Sequence, residues 1–231
     1  MIKRRFFVVG NDEDVKEMVR KRGHIVQSVI NEHTEAVIFT GGEDVSPFLY
    51  GEPCLPGTQC NIIRDLKETA IFKELPSMMN KIGICRGAQL LNVLSGGSMW
   101  QDVGNHASGD HLIRIDWQPD EKKRVGEYAI KKQFIMATST HHQMMIPCDG
   151  LADVWASARI SKHKIRHKEI VNYTNEYDND FEDPEVIYYW HNNTLCFQPH
   201  PEYEGAKGEL VNYFWECVDL MFPKGKTDAA A

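Results

Sequence analysis

The sequence predicts an α/β fold: a mostly parallel sheet flanked by helices, with antiparallel strands added by the second half. Three observations carry this. Short apolar runs alternate with amphipathic segments through the first half, and such alternation argues for a parallel sheet covered on both faces. The second half strings apolar runs together and contains one tight-turn signal, HNNT at 191–194. The chain has 231 residues, 42% of them apolar and 26% charged, which suits one soluble domain with a sizeable core.

The elements follow in order. RRFFVVG (4–10) is a short apolar run ending in glycine and reads as a buried strand. NDEDVKEMVRKRG (11–23) reads as a helix, with Asn11 as its cap, acids in the first turn and Gly23 as the stop. HIVQSV (24–29) and EAVIFTGG (35–42) are two further strands. IIRDLKETAIFKEL (62–75) has apolar residues at helical spacing and ends before Pro76. KIGIC (81–85) is a strand, and GAQLLNVLSGG (87–97) a helix closed by glycine. HLIRIDW (111–117), QFIMATS (133–139), LADVWASAR (151–159) and EVIYYWHNNTLCFQ (185–198) read as strands, the last folded on itself. GELVNYFWECVDLMF (208–222) is an amphipathic helix. The polar stretch 160–184 is expected to be a surface insert, loop or hairpin, with the basic run SKHKIRHK (161–168) a solvated face. Residues 1–223 are expected to form a single domain and 224–231 a disordered tail.

Net charge is −7, which gives no global attraction to nucleic acid or to anionic membranes. No apolar run approaches the roughly 20 residues of a membrane span. The apolar stretch FFVVG near the start is shorter than the about 7–15 residues of a signal-peptide core, so a cytoplasmic location is expected. Six cysteines show no CxxC pair, and free thiols are the simplest reading.

Cys85 stands where a strand meets a helix, with Gly83 and Gly87 two positions to either side. It is either a small core residue or a nucleophile held on a sharp turn. The second reading resembles a nucleophile elbow: glycines relieve the close backbone approach, and the helix N-terminus stabilises thiolate. A thiol nucleophile needs a base, and the base needs an orienting partner. FQPHPE (197–202) offers His200 and Glu202, two residues apart and stiffened by Pro201. Acyl transfer also needs donors for a developing oxyanion, and the backbone N–H groups of Gly42 and Arg86 could supply them. The Arg86 side chain either binds a carboxylate or packs on the loop. His106, His111, His141 and His142 could cluster, but no cysteine or carboxylate accompanies them at ligand spacing, and no metal is expected.

GICRGAQ (83–89), FTGGEDVSP (39–47) and FQPHPE (197–202) together resemble the class I glutamine amidotransferase superfamily. GGEDVSPFLYGE (41–52), GGSMWQDV (96–103) and TSTHHQMM (138–145) resemble its peptidase C26 branch, the γ-glutamyl hydrolases that include γ-glutamyl-GABA hydrolase. The resemblance implies a flavodoxin-like sheet. It implies Cys85 as nucleophile, His200 as base and acid, Glu202 as the orienting carboxylate, and Gly42 and Arg86 as the oxyanion hole. It further implies Gln89, His142 and Gln143 beside the substrate and no cofactor. The expected activity is hydrolysis of a γ-glutamyl amide, from a γ-glutamyl amine or glutamine, through a thioester on Cys85. A glutaminase subunit serving a separate synthase, a homodimer, and a non-catalytic binding module of the same fold remain open. The intact cysteine, histidine and glutamate argue against the last. Two departures from the branch, the long insert at 160–184 and ATST (137–140) before HHQ, concern the amine portion of the substrate.

Overall fold

The computed structural model describes residues 2–116, 133–174 and 182–222. Among these, nine strands form one mixed sheet. Its parallel half runs β2 (Ile25–Gln27), β1 (Arg5–Val9), β3 (Ala36–Phe39), β4 (Asn80–Ile84), β14 (Thr194–Phe197). The antiparallel half continues with β13 (Asp183–Tyr189), β10 (Ala152–Ala158), β7 (His111–Ile115) and β8 (Gln133–Ala137). Both the parallel half and the added antiparallel strands match the expectation from sequence.

Period-two alternation sorts the strands' apolar side chains onto two faces. Phe6, Val8, Ile38, Ile82 and Ile84 pack with helices α1 (Glu13–Lys21) and α4 (Gly208–Met221) on one side. Val9, Val37 and Phe39 pack with α3 (Arg86–Leu94) on the other, where α2 (Ile62–Glu74) also lies. Each fully buried valine, leucine, isoleucine or phenylalanine contributes about 1.5–3 kcal/mol, so covering both faces is what stabilises this half of the sheet.

Three local readings need correction. Helix α1 is capped by Asp12, whose side chain accepts the Val15 N–H at 3.0 Å; the Asn11 side chain instead accepts from Lys16 Nζ. Helix α2 turns a polar face inward: Asp65, Glu68 and Thr69 are buried while Ile62, Ile63 and Leu66 are exposed. The buried cation described below outweighs the apolar periodicity. The basic run at 161–168 is not a solvated face. It contributes β11 (His163–Arg166), which pairs with β12 (Glu169–Asn172) and with β6 (Asp102–Val103). Lys164 is 3% exposed and meets Asp183 at 2.8 Å. Residues 175–181 of the predicted insert, and the predicted tail, lie outside the described residues. Two further strands, β5 (Ser98–Trp100) and β9 (Met144–Ile146), pair with each other and carry the segments GGSMWQDV and HHQMM onto the body.

The topology places β4 between β3 and β14, all three parallel. Their carboxyl ends therefore open on the same edge of the sheet, the usual place for ligands in open α/β sheets.

Candidate functional site

Cys85 follows β4 directly and is the N-cap of α3. Its backbone takes φ 50° and ψ −113°, a region costly for a residue with a side chain, about 1–3 kcal/mol. The surroundings over-determine it. A Cβ at Gly83 would lie 2.5 Å from the backbone of Ala88, and one at Gly87 would lie 2.1 Å from the Phe39 carbonyl oxygen. Both glycines flanking the cysteine are thus steric requirements of a helix pressed against two strands. The Cys85 N–H donates to Phe197 O at 3.0 Å and the Gln89 N–H to Cys85 O at 3.1 Å. The residue is thereby fixed to β14 on one side and to α3 on the other.

His200 lies three residues past the end of β14, directly before the turn that begins at Pro201. Its Nδ1 is 2.7 Å from Glu202 Oε1, and its Cε1 and the Cys85 Cβ both lie against Gly41, where an added Cβ would come 3.1 Å and 3.8 Å from them. Nδ1–H donates to that carboxylate, and Nε2 is 3.4 Å from the Tyr203 hydroxyl. Burial lowers the His200 pKa, but the bonds and charges of Cys85 and Glu202 outweigh it and raise the value to about 10. Two residues that the sequence did not single out hold this imidazole. Thr138, just past β8, grips the His200 backbone twice: its hydroxyl donates to His200 O at 3.0 Å and accepts the His200 N–H at 2.8 Å. Tyr203 stacks on the ring with centroids 4.1 Å apart. An aromatic three residues after the histidine was visible as PHPEY; Thr138 had no such signal, because it arrives from the far antiparallel strand.

The loop after β3 faces the same spot. A Cβ on Gly41 would come 3.1 Å from His200 Cε1 and 3.8 Å from Cys85 Cβ. Gly42 has φ 146°, and a Cβ there would strike Arg64 Nη1 at 2.0 Å. Arg64 supports the loop from below, donating to Gly41 O at 2.8 Å, Glu43 at 3.0 Å and Glu68 at 2.7 Å. The Arg86 side chain takes the first of its two sequence readings, and the carboxylates it binds are the protein's own. It is buried under the loop and bonds to Asp65 and Glu68 of α2. Asp65 in turn accepts the Ser46 N–H at 3.0 Å. This cation explains why α2 buries acids, and it leaves only the Arg86 backbone for the cavity. In sequence the acids stood in view at 65 and 68, one helical turn apart, but nothing named their partner.

A cavity of about 300 Å³ opens at this edge, lined by Gly42, Asp44, Cys85, Gln89, His142 and Gln143 among others. The Gln89 amide donates to Gln143 O and to Gln198 Oε1, both at 3.2 Å, so its N–H groups are already engaged. His142 Nε2 meets Asp44 Oδ1 at 3.0 Å, and that hydrogen bond raises its pKa. The Gln143 amide donates to Gln101 O at 3.3 Å. Beside the cavity His106, His111 and His141 surround Glu185, while His142 points to Asp44 instead. Six of the eight residues singled out in the sequence, Cys85, Gly42, Arg86, Gln89, His142 and Gln143, line this cavity; His200 and Glu202 do not, and Glu202 lines a neighbouring hollow with Pro201 and Tyr203.

The family model of Peptidase C26 matches residues 18–161, more than half of the chain. The chain belongs to the Peptidase C26 family. That family lies within the class I glutamine amidotransferase superfamily, as the resemblance implied. The C26 match takes in the 41–44 loop, Cys85, Gln89 and His142–Gln143; His200 and Glu202 lie beyond it. A glutamine amidotransferase-like protein of Lactococcus lactis subsp. cremoris, the YvdE homolog, is 32% identical over 121 residues, covering 48% of this chain and 63% of its own length. Protein NtpR of Enterococcus hirae is 45% identical over 71 residues, 30% of each chain. The chain therefore spans less than two thirds of these curated relatives. Among solved structures, a protein described as a GMP synthase subunit from Thermoplasma acidophilum superposes with a TM-score of 0.61 at 14% identity, over 95% of this chain and 96% of that one. That likeness shows the fold alone. Among the described residues no helix is long and apolar enough to cross a membrane.

Proposed function

We propose that this C26 protein hydrolyses γ-glutamyl amide bonds through a thioester on Cys85. The observation that carries the reading is the convergence of Cys85, His200 and Glu202 at the ends of two neighbouring parallel strands, with the Nδ1–Oε1 contact at 2.7 Å. Cys85 is the nucleophile. Its thiolate attacks the γ-carbonyl carbon, and the carbonyl oxygen gathers charge facing the N–H groups of Gly42 and Arg86. The C–N bond then breaks, and the amine leaves with the proton carried by His200 Nε2. Water next gives a proton back to His200 and attacks the thioester carbon. The C–S bond breaks, glutamate is released and the thiolate returns. Glu202 holds the imidazole in the tautomer and orientation that both steps need. The chemistry asks for no cofactor.

Gln89, His142 and Gln143 are the residues placed to orient the γ-glutamyl group. Gln89 does so chiefly as a hydrogen-bonded wall, since its N–H groups are engaged, whereas Gln143 Oε1 is buried without a partner and can accept from the substrate. His142 presents an imidazole whose pKa the Asp44 hydrogen bond holds above the usual range, so it carries more positive charge at neutral pH than a free histidine.

The test is Cys85→Ala. Release of glutamate from glutamine and from a panel of γ-glutamyl amines should fall by at least about 10⁴-fold with folding kept, and mass spectrometry of the wild type should catch a γ-glutamyl adduct on Cys85. Undiminished turnover in the variant removes the nucleophile assignment. A second reading, a glutaminase subunit that passes ammonia to a synthase, is favoured by the solved neighbour described as part of a GMP synthase. Glutamine turnover that appears only when a partner chain is added would select it over the stand-alone hydrolase.

A further inference from the structure

His106, His141 and Glu185 come from three separate parts of the chain. His106 follows β6, His141 precedes β9, and Glu185 lies in β13. All three are buried, and one candidate ligand atom from each lies within 4.8 Å of the others. The separations are informative. His106 Nδ1 is 3.4 Å and His141 Nε2 is 3.9 Å from Glu185 Oε1. Two ligands each about 2.0–2.1 Å from a tetrahedral ion stand about 3.4 Å apart.

The outer partners set the tautomers. His141 Nδ1 is 2.9 Å from Gln143 O, a carbonyl that can only accept, so the proton sits on Nδ1 and Nε2 keeps its lone pair. His106 Nε2 faces the Asp183 carboxylate at 3.3 Å and Ser161 Oγ at 3.2 Å, and a proton placed there frees Nδ1. A histidine that donates one N–H to a carbonyl or carboxylate and turns the other nitrogen inward is the arrangement of metal-ligating imidazoles. The inward atoms, His106 Nδ1 and His141 Nε2, are buried and make no hydrogen bond, and neither does Glu185 Oε2. His111 Nε2 is 2.8 Å from Glu185 Oε1, too close for a second ligand and right for an N–H that steadies the carboxylate.

We propose that His106 Nδ1, His141 Nε2 and the Glu185 carboxylate bind one divalent transition-metal ion, Zn²⁺ by this donor set, which ties the 139–143 loop to the sheet. His141 lines the cavity, which gives the ion a way in. The ion is structural: it fixes the loop that carries His142 and Gln143 and takes no part in bond making. The sequence reading expected no metal because no carboxylate stood near the histidines; the carboxylate comes from a distant strand. The competing arrangement is a cluster bridged by protons, with His106 charged between Asp183 and Glu185.

The experiment uses the full chain carrying Cys85→Ala, which removes the cavity thiol as a rival ligand. Its readouts do not depend on the proposed hydrolysis. After stripping with chelator and reloading with Zn²⁺, one ion per chain should survive gel filtration. At an ion concentration about 100-fold above Kd, Tm should rise by about 5 °C or more. Co²⁺ should give d–d bands without sulfur charge transfer, and X-ray absorption on the Zn²⁺ protein should report an N/O shell with two imidazoles. His106→Gln should weaken binding at least about tenfold. If that variant does not fold, the absorption shell decides. Absence of a retained ion, an unmoved Tm, or a metal bound through sulfur would overturn the proposal and leave the proton-bridged cluster.

Discussion

A methyl group at position 87 tests the turn that presents Cys85. In Gly87→Ala the new Cβ would sit 2.1 Å from Phe39 O and 2.5 Å from Phe39 C. Ordinary contact begins near 3.4 Å, so helix α3 and the end of β3 must separate by about 1.3 Å. Both are backbone, and neither can swing aside as a side chain would. Overpacking of this kind costs about 1–3 kcal/mol, which for a chain of this size lowers Tm by roughly 2–12 °C. Phe39 is two residues before Gly41, which abuts both His200 and Cys85. The displacement therefore reaches the reacting groups, and a misplacement of about 1 Å there costs about 10²-fold in rate. The assay is kcat/KM for glutamate release beside a calorimetric Tm. Gly205→Ala is the control, since a Cβ there meets nothing within 4 Å. Wild-type Tm and wild-type turnover in Gly87→Ala would refute the packing account of the elbow. A lowered Tm with no activity in any variant would spare that account and indict the hydrolase reading instead.

Three further outcomes are expected. Glu202→Gln removes one of the charges that overcome burial at His200, so its titration midpoint, read by NMR of the imidazole, should move down from about 10; an unmoved midpoint would remove Glu202 from the account. Because the folded His200 binds its proton up to about pH 10, against 6.5 for the free group, the folded state holds more protons than the unfolded one across that window. His200 thus stabilises fully below 6.5, and its contribution is lost as pH rises toward 10; urea titrations should show a shallower decline in His200→Asn, and equal slopes would contradict the linkage. Arg86→Met leaves Asp65 without its buried cation and Glu68 with only Arg64. It should cost about 3–5 kcal/mol by urea denaturation, and a loss under about 1 kcal/mol would show that the acids are charge-balanced some other way.

Much of the scaffold was legible in the chain itself, because strand and helix period, caps and glycine stops are local. β1, β3, β4, α3 and the 191–194 turn follow from runs of fewer than fifteen residues. The close approach that requires Gly83 and Gly87 was legible for the same reason: a strand that turns at once into a helix has little room at those two positions. The candidate site was legible only as three separate segments plus a resemblance. What joins them is the insertion of β14 beside β4, with Phe197 opposite Ile84, which carries His200 to Cys85 across more than a hundred positions.

Charge is where sequence reading fell short. Ile62, Ile63 and Leu66 marked the wrong face of α2, since the guanidinium of Arg86 draws Asp65 and Glu68 inward from another helix. Lys164 looked solvated until Asp183 met it from β13, and three scattered histidines acquired a carboxylate from the same strand. Local pattern decides which segments are helix or strand, because backbone hydrogen bonding and side-chain period act over a few residues. Which polar groups are buried depends on partners contributed from afar, and only the tertiary structure supplies those.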